Sequence, residues 1–362
     1  MNIVLAFIFC LLICPVIARA ETLTQRSLFV TVIQEPPVLS SREQMTALVN
    51  YARLARIHTL FVQVYRADQA WFPSTVGDQA PYNAALKAVG EDPLALLIDL
   101  AHKQGLEVHA WVNLLSLSKN INAPLLKKYG AGILTRNVNK KKVLADYKID
   151  DQFFLEPGDL RVRAELLTMV EELLGAYPKL DGLQFDYIRY PDSQPHYGYT
   201  PMNRERFLQA SGLKQIDDNS LAWKDWKRAQ VTALLTGLVK RARSLHPGLK
   251  VSTTGCAPAV RALEEAFQDW PAWVNSGLID FVTVMTYAQD TAEFNKMIAD
   301  ARARVSDPAK MNIAVGAYQQ LKSPEVFDQQ LALCQKEVQA SCVIFHYGNL
   351  LESPVMKDGL LK

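Results

Sequence analysis

The sequence predicts an α/β protein built as a single (β/α)8 TIM barrel with long connections after its third and fourth strands. Three observations carry that prediction. Short runs rich in Val, Ile, Phe and Thr alternate with longer amphipathic segments along the chain. Each run is largely apolar instead of alternating, as strands covered on both faces must be. No Gly-rich phosphate-binding turn follows the first run, which weakens the rival open, doubly wound sheet.

Taken in order, strands are expected at Leu28–Val32, Thr59–Val64, Glu107–Val112, Gly182–Ile188, Lys250–Thr254, Phe281–Thr286, Ile313–Ala317 and Cys342–Tyr347. Between them, a helix over Ser41–Ile57 opens with the capping pair Ser41 and Gln44. A second, Pro93–Gln104, stops before Gly105, and a third, Arg161–Tyr177, follows the N-cap candidate Asp159. Leu221–His246 ends before Pro247-Gly248, and Leu263–Asn275, Ala292–Arg304 and Pro324–Val338 complete the alternation. The connection from Leu114 to Pro157 is expected to hold a hairpin of Ile133–Thr135 and Val143–Ala145, turning at Asn137–Lys142. That connection and the one from Asp192 to Asn219 emerge at the C-terminal end of the barrel, where such folds keep their chemistry.

At the N-terminus, the apolar run Ile3–Ile17 followed by Ala18-Arg19-Ala20 reads as a signal peptide over residues 1–20, which leaves residues 21–362 as the barrel and implies a periplasmic or secreted protein. An uncleaved membrane anchor is the alternative reading. No later stretch is long and apolar enough for a transmembrane helix. The formal charge of +2, from 39 Lys+Arg against 37 Asp+Glu, gives no electrostatic case for nucleic acid or an anionic membrane. In an oxidising compartment Cys334 and Cys342 can pair, since they flank the turn from a helix into the last strand; otherwise they are small buried apolar residues.

The polar residues at strand ends suggest the chemistry. Side chains at i and i+2 share a face of a strand, so Gln184 and Asp186 point into the barrel, with Asp186 at the upper rim beside Arg189 and Tyr190. Asp181 lies at the strand entrance, the stability face of such barrels. Gln63, Arg66 and Asp68 end the second strand, Trp111 and Asn113 the third, Tyr287 the sixth, and His346 with Tyr347 the eighth. Aromatic faces stack on the apolar faces of sugars, and amides and carboxylates bond their hydroxyls, so the rim suits a polysaccharide substrate. Glycosidic hydrolysis normally takes two carboxyl groups. Asp186 is the first; Glu156 and Asp290 are the leading candidates for the second, with Asp68 and Glu35 behind them. There is no H-E-x-x-H, C-x-x-C or G-x-S-x-G, and the six histidines lack ligand spacing, so neither a metal nor another cofactor is expected.

Several motifs in order then resemble the glycosyl-hydrolase-like family 10: AHKQGLEVHAWVN at 101–113, FLEPGDLRVR at 154–163, LDGLQFDYIRYP at 180–191, VGAY at 315–318 and FHYGNL at 345–350. The resemblance implies a periplasmic or extracellular glycosidase, with peptidoglycan glycan strands as the leading substrate. It marks Asp186 as the active-site acid and Glu156, Trp111, Asn113 and Tyr287 as pocket residues. Laying the strand-four pattern of family 18 chitinases on Asp181-Gly182 puts Ile188 at the position of their acid, so a chitinase-type mechanism is not expected. The competing expectation is a carbohydrate-binding pseudoenzyme that uses the same rim without turnover.

Overall fold

The computed structural model describes residues 25–138, 143–192 and 196–361. The expected signal peptide and part of the Asn137–Lys142 turn lie outside the described residues. Eight parallel strands form the barrel: β1 (Gln25–Val30), β2 (Ile57–Arg66), β3 (Glu107–Asn113), β4 (Gly182–Asp186), β5 (Lys250–Cys256), β6 (Phe281–Met285), β7 (Met311–Gly316) and β8 (Ser341–Phe345). Each pairs with the next, and β1 pairs with both β2 and β8, which closes the sheet. Closure leaves the eight strands without a free edge.

The outer ring is built from α1 (Arg42–Leu54), α2 (Pro93–His102), α3 (Leu160–Ala176), α4 (Leu221–Leu245), α5 (Trp270–Asn275), α6 (Thr291–Arg302) and α7 (Pro324–Glu337), with shorter helices in the loops. Starts are set by side chains that accept otherwise unpaired backbone N–H groups. Ser41 accepts from Gln44, Asp92 from Ala95 and Asp159 from Arg161. Outward-facing strand residues such as Leu60, Val62, Leu183, Val282 and Ile344 join the helices in one continuous core. Inside the barrel a separate plug forms from Phe29, Phe61, Trp111, Ala314 and Val343. Each large side chain sealed there contributes roughly 1.5–3 kcal/mol of burial. Gly182 opens β4 where a Cβ would lie 2.2 Å from the His109 ring, so only glycine allows that approach.

Three expectations need correction. Ile133–Thr135 does not pair with Val143–Ala145. Thr135 N–H instead donates to Phe154 O (2.8 Å) and Glu156 N–H to Ile133 O (2.8 Å), because this pairing buries Ile133 and Leu134 in the loop's own core. Val143 is 59% exposed and offers no such gain, and Leu144–Tyr147 forms a 3-10 turn. The single helix expected at Leu263–Asn275 is two, Ala259–Glu264 and α5, separated by Phe267 with φ of 52°. Helices at Ala80–Val89 and Pro201–Ser211 lie in connections where none was expected.

Cys334 and Cys342 are bonded, tying α7 to β8, while Cys256 is a buried free thiol. Among the described residues no helix is long and apolar enough to cross a membrane.

Candidate active site

Asp186 ends β4 and opens into a cavity of about 380 Å³ at the C-terminal mouth of the barrel. Parallel register places Asn113 beside Asp186 and Trp111 beside Gln184, so β3 presents two donors to the carboxylate. Asp186 Oδ2 accepts from Trp111 Nε1 (3.0 Å) and Asn113 Nδ2 (3.4 Å). Oδ1 accepts from Thr254 Oγ1 of β5 (2.5 Å) and from the backbone N–H of Tyr187 (2.7 Å). The last bond is local, from the backbone N–H of the next residue, and Tyr187 itself sits in the left-handed region (φ 51°).

The support continues along the rim. Gln63 Nε2 donates to Asn113 Oδ1 (2.8 Å), and Thr31 Oγ1 donates to Gln63 Oε1 (2.8 Å). This relay, from Thr31 just past β1 through β2 and β3, orients the Asn113 amide so that its NH₂ faces Asp186. The cavity wall is aromatic: the Tyr287 ring lies 5.5 Å from Tyr318 and 5.1 Å from Phe345. Gly316 makes room for it, since a Cβ there would come within 3.0 Å of Tyr287. His346 also lines the cavity; burial pushes its imidazole down to about 4, so it is neutral at neutral pH.

A second hollow, of about 470 Å³, shares Tyr187, Met285, Tyr287, Tyr318 and Phe345 with the first. It holds Asp192, which is bracketed by Arg189 (2.9 Å) and Arg261. Arg189 therefore pairs with Asp192, not with Asp186, and its guanidinium stacks on Tyr187 (4.8 Å).

The structure thus gathers Gln63, Arg66, Trp111, Asn113, Asp186, Tyr287 and His346 around one cavity, with Arg189 beside it. It does not bring the other candidates there. Glu156 is fully enclosed under the loop after β3, where it accepts from Tyr190 Oη (2.5 Å), Thr135 Oγ1 (3.0 Å) and Gly158 N–H (3.3 Å). Burial pushes its carboxyl upward. Tyr190 is consumed by that contact. Asp290 is an exposed N-cap of α6, accepting from Glu293 N–H (2.8 Å), and Glu35 is exposed and lines neither hollow. Gln184 sits one step below Asp186 in the barrel core, fully buried, and Tyr347 packs on Tyr51 (5.8 Å). Asp68 lies behind the wall, accepting from Tyr65 Oη (2.6 Å) and Leu125 N–H (2.8 Å).

Residues that strand-end reasoning missed are Thr31, Thr254, Ser116, Ser118, Gln152, Asp192 and Phe345. Thr254 was legible as the last residue of the expected fifth strand. Gln152 and the two serines reach the cavity through a loop whose path follows from tertiary pairing, and no local signal marks them.

Burial lifts the Asp68 carboxyl to about 6, against bonds from Tyr65 and Leu125 that pull it down. A raised carboxyl contributes stability that is full below about pH 4 and lost as pH rises through about 6. The stability difference between wild type and Asp68→Asn should therefore fall by about 2–3 kcal/mol between pH 4 and 7 in urea titrations. A difference independent of pH would refute this assignment.

Comparison with known proteins follows the same lines. The catalytic domain of a beta-amylase from Paenibacillus polymyxa superposes with a TM-score of 0.57 at 11% identity, covering 93% of this chain and 94% of that one. A beta-galactosidase from the psychrophilic Marinomonas ef1 gives 0.56 at 11% identity, covering 94% and 62%. At such identity these likenesses establish the barrel alone. In sequence, the "Glycosyl hydrolase DigH" of Escherichia coli K12 is 24% identical over 310 residues, which is 77% of this chain and 67% of the relative. The "Glycosyl hydrolase YngK" of Bacillus subtilis is 22% identical over 355 residues, 89% of this chain and 66% of the relative. The chain spans about two thirds of the length of both relatives. Barrel, rim and relatives together define a (β/α)8 protein of the glycosyl hydrolase-like kind. The chain belongs to the glycosyl hydrolase-like 10 family, whose model matches residues 24–332.

Proposed function

We propose that the protein hydrolyses O-glycosidic bonds of a cell-envelope or extracellular polysaccharide, peptidoglycan glycan strands first among them, with Asp186 facing the reacting sugar. The observation that carries this reading is the setting of Asp186. It is the single acidic side chain lining the mouth cavity among the described residues, and four donors, three from two strands and one from a strained turn, hold it in one orientation. A carboxylate fixed in this way, beneath an aromatic wall, is arranged to attack or stabilise an oxocarbenium-like centre without reorganising during the reaction.

The adjoining hollow supplies Asp192 as the other carboxyl group of the groove, in place of Glu156 and Asp290. The choice of peptidoglycan rests on the family resemblance. Export to the periplasm or exterior is supported by the apolar N-terminal run and by the Cys334–Cys342 bond, which persists in oxidising compartments.

One observation favours a second reading, carbohydrate binding without turnover: neither Glu156 nor Asp290 lines the cavity. Incubation of the purified protein with peptide-free glycan strands separates the two. New reducing ends are expected; tight binding with no release of ends over long incubation would establish the binding module instead.

A further inference from the structure

We propose that Arg66 makes this groove selective for glycans that carry a carboxylate on a sugar seated beside Asp186. The proposal rests on the reading of the groove as a glycan site and adds to it the chemical class of the substrate. Arg66 is the last residue of β2 and lines the same cavity as Asp186, with its side chain partly buried. The other arginines of the groove are engaged: Arg189 and Arg261 both hold Asp192, and Arg189 also covers the Tyr187 ring. Arg66 makes no hydrogen bond or ion pair among the described residues.

Asp186 makes no direct ion pair with it, since both carboxylate oxygens are turned to Trp111, Asn113, Thr254 and the Tyr187 N–H. A partly buried guanidinium that no protein group holds keeps its donors and its charge for an anionic ligand. The planar fork of Arg pairs bidentately with a carboxylate, whereas a neutral sugar hydroxyl satisfies its donors without answering its charge.

The backbone behind Arg66 is held in place. Ala67 and Asp68 both lie in the left-handed region (φ 54° and 60°). Asp68 is pinned by Tyr65 Oη and Leu125 N–H, and Asn120 Nδ2 donates to Ala67 O (2.8 Å). The turn therefore aims Arg66 into the groove before any ligand arrives, which lowers the ordering cost of binding.

The test compares peptide-free peptidoglycan strands, which bear lactyl carboxylates, with the same strands after carbodiimide–borohydride reduction of those groups to alcohols. Kd is measured with the Asp186→Asn protein and kcat/KM with wild type. The native strands should be preferred by about tenfold or more, the scale of one charge-assisted bidentate contact. Arg66→Gln should bring that ratio close to one, and Arg66→Lys, which keeps the charge without the fork, should restore part of it. No preference in wild type, or a ratio unchanged in Arg66→Gln, overturns the proposal. A larger gain on a phosphorylated glycan than on the carboxylate strands overturns the carboxylate assignment. Hydrolysis without preference leaves the hydrolase reading standing and removes the role of Arg66. Preference in Kd without any hydrolysis does the reverse.

Discussion

Asp186→Asn is expected to lower hydrolysis of glycan strands by roughly 10²–10⁴-fold, the range contributed by a positioned catalytic or charge-stabilising group. The substitution preserves shape and removes the negative charge. It also replaces one acceptor oxygen with an NH₂ group in a pocket built of donors. Thr254 can rotate its hydroxyl, but the Asn113 amide is held by Gln63, and the Trp111 indole N–H and the Tyr187 backbone N–H cannot reverse. Whichever way the new amide is oriented, one fixed donor faces another, at a cost of about 1–3 kcal/mol. Activity should thus collapse while the barrel persists with a modest loss of stability. Circular dichroism, a urea midpoint and glycan binding measured on the same sample check this. Activity within about tenfold of wild type, well short of the loss expected for a group of this kind, would remove Asp186 from the chemistry.

Glu156→Ala should behave in the opposite way. Its carboxyl group touches neither hollow of the groove and anchors Tyr190, Thr135 and the turn at Gly158. Truncation strands two hydroxyls and an N–H in a dry core and leaves a void, so destabilisation of about 4 kcal/mol is expected, with the remaining folded protein still active. Burial also raises the Glu156 carboxyl. Whatever stability the neutral form supplies is present at low pH and lost as pH rises through the folded value. Glu156→Gln, neutral at every pH, should therefore gain on wild type as pH increases. Denaturant titrations at pH 5 and pH 8 check the direction. A variant of unchanged stability but lost turnover would return Glu156 to catalysis.

The contrast between Asp186 and Glu156 shows how far the site could be read from sequence. Strand parity alone turned Asp186 toward the barrel axis, and its place as the last residue of a buried strand put it at the rim. Trp111, Asn113 and Gln63 obey the same parity and arrive at the same cavity. Glu156 lies on a loop, where no period applies. Its motif carried chemical residues, yet the chain path turns its carboxyl inward to Tyr190. Asp290 is similar: proximity to a strand end suggested the rim, but the helix that follows uses its side chain as a cap. Asp192 was passed over because it belongs to a long polar connection with no local pattern, and only the approach of Arg189 and Arg261 distinguishes it.

Local periodicity and caps determined the barrel, its eight strands and the placement of Asp186, because a strand's two-residue repeat and a helix start act over a few neighbouring residues. Tertiary structure decided the rest. Whether a loop carboxyl faces the groove, a dry core or solvent depends on contacts between segments distant in sequence, such as Thr135 with Phe154 and Asp68 with Leu125. Those contacts form only where burial outweighs the entropy of ordering the loop, and that balance is a property of the whole packed chain.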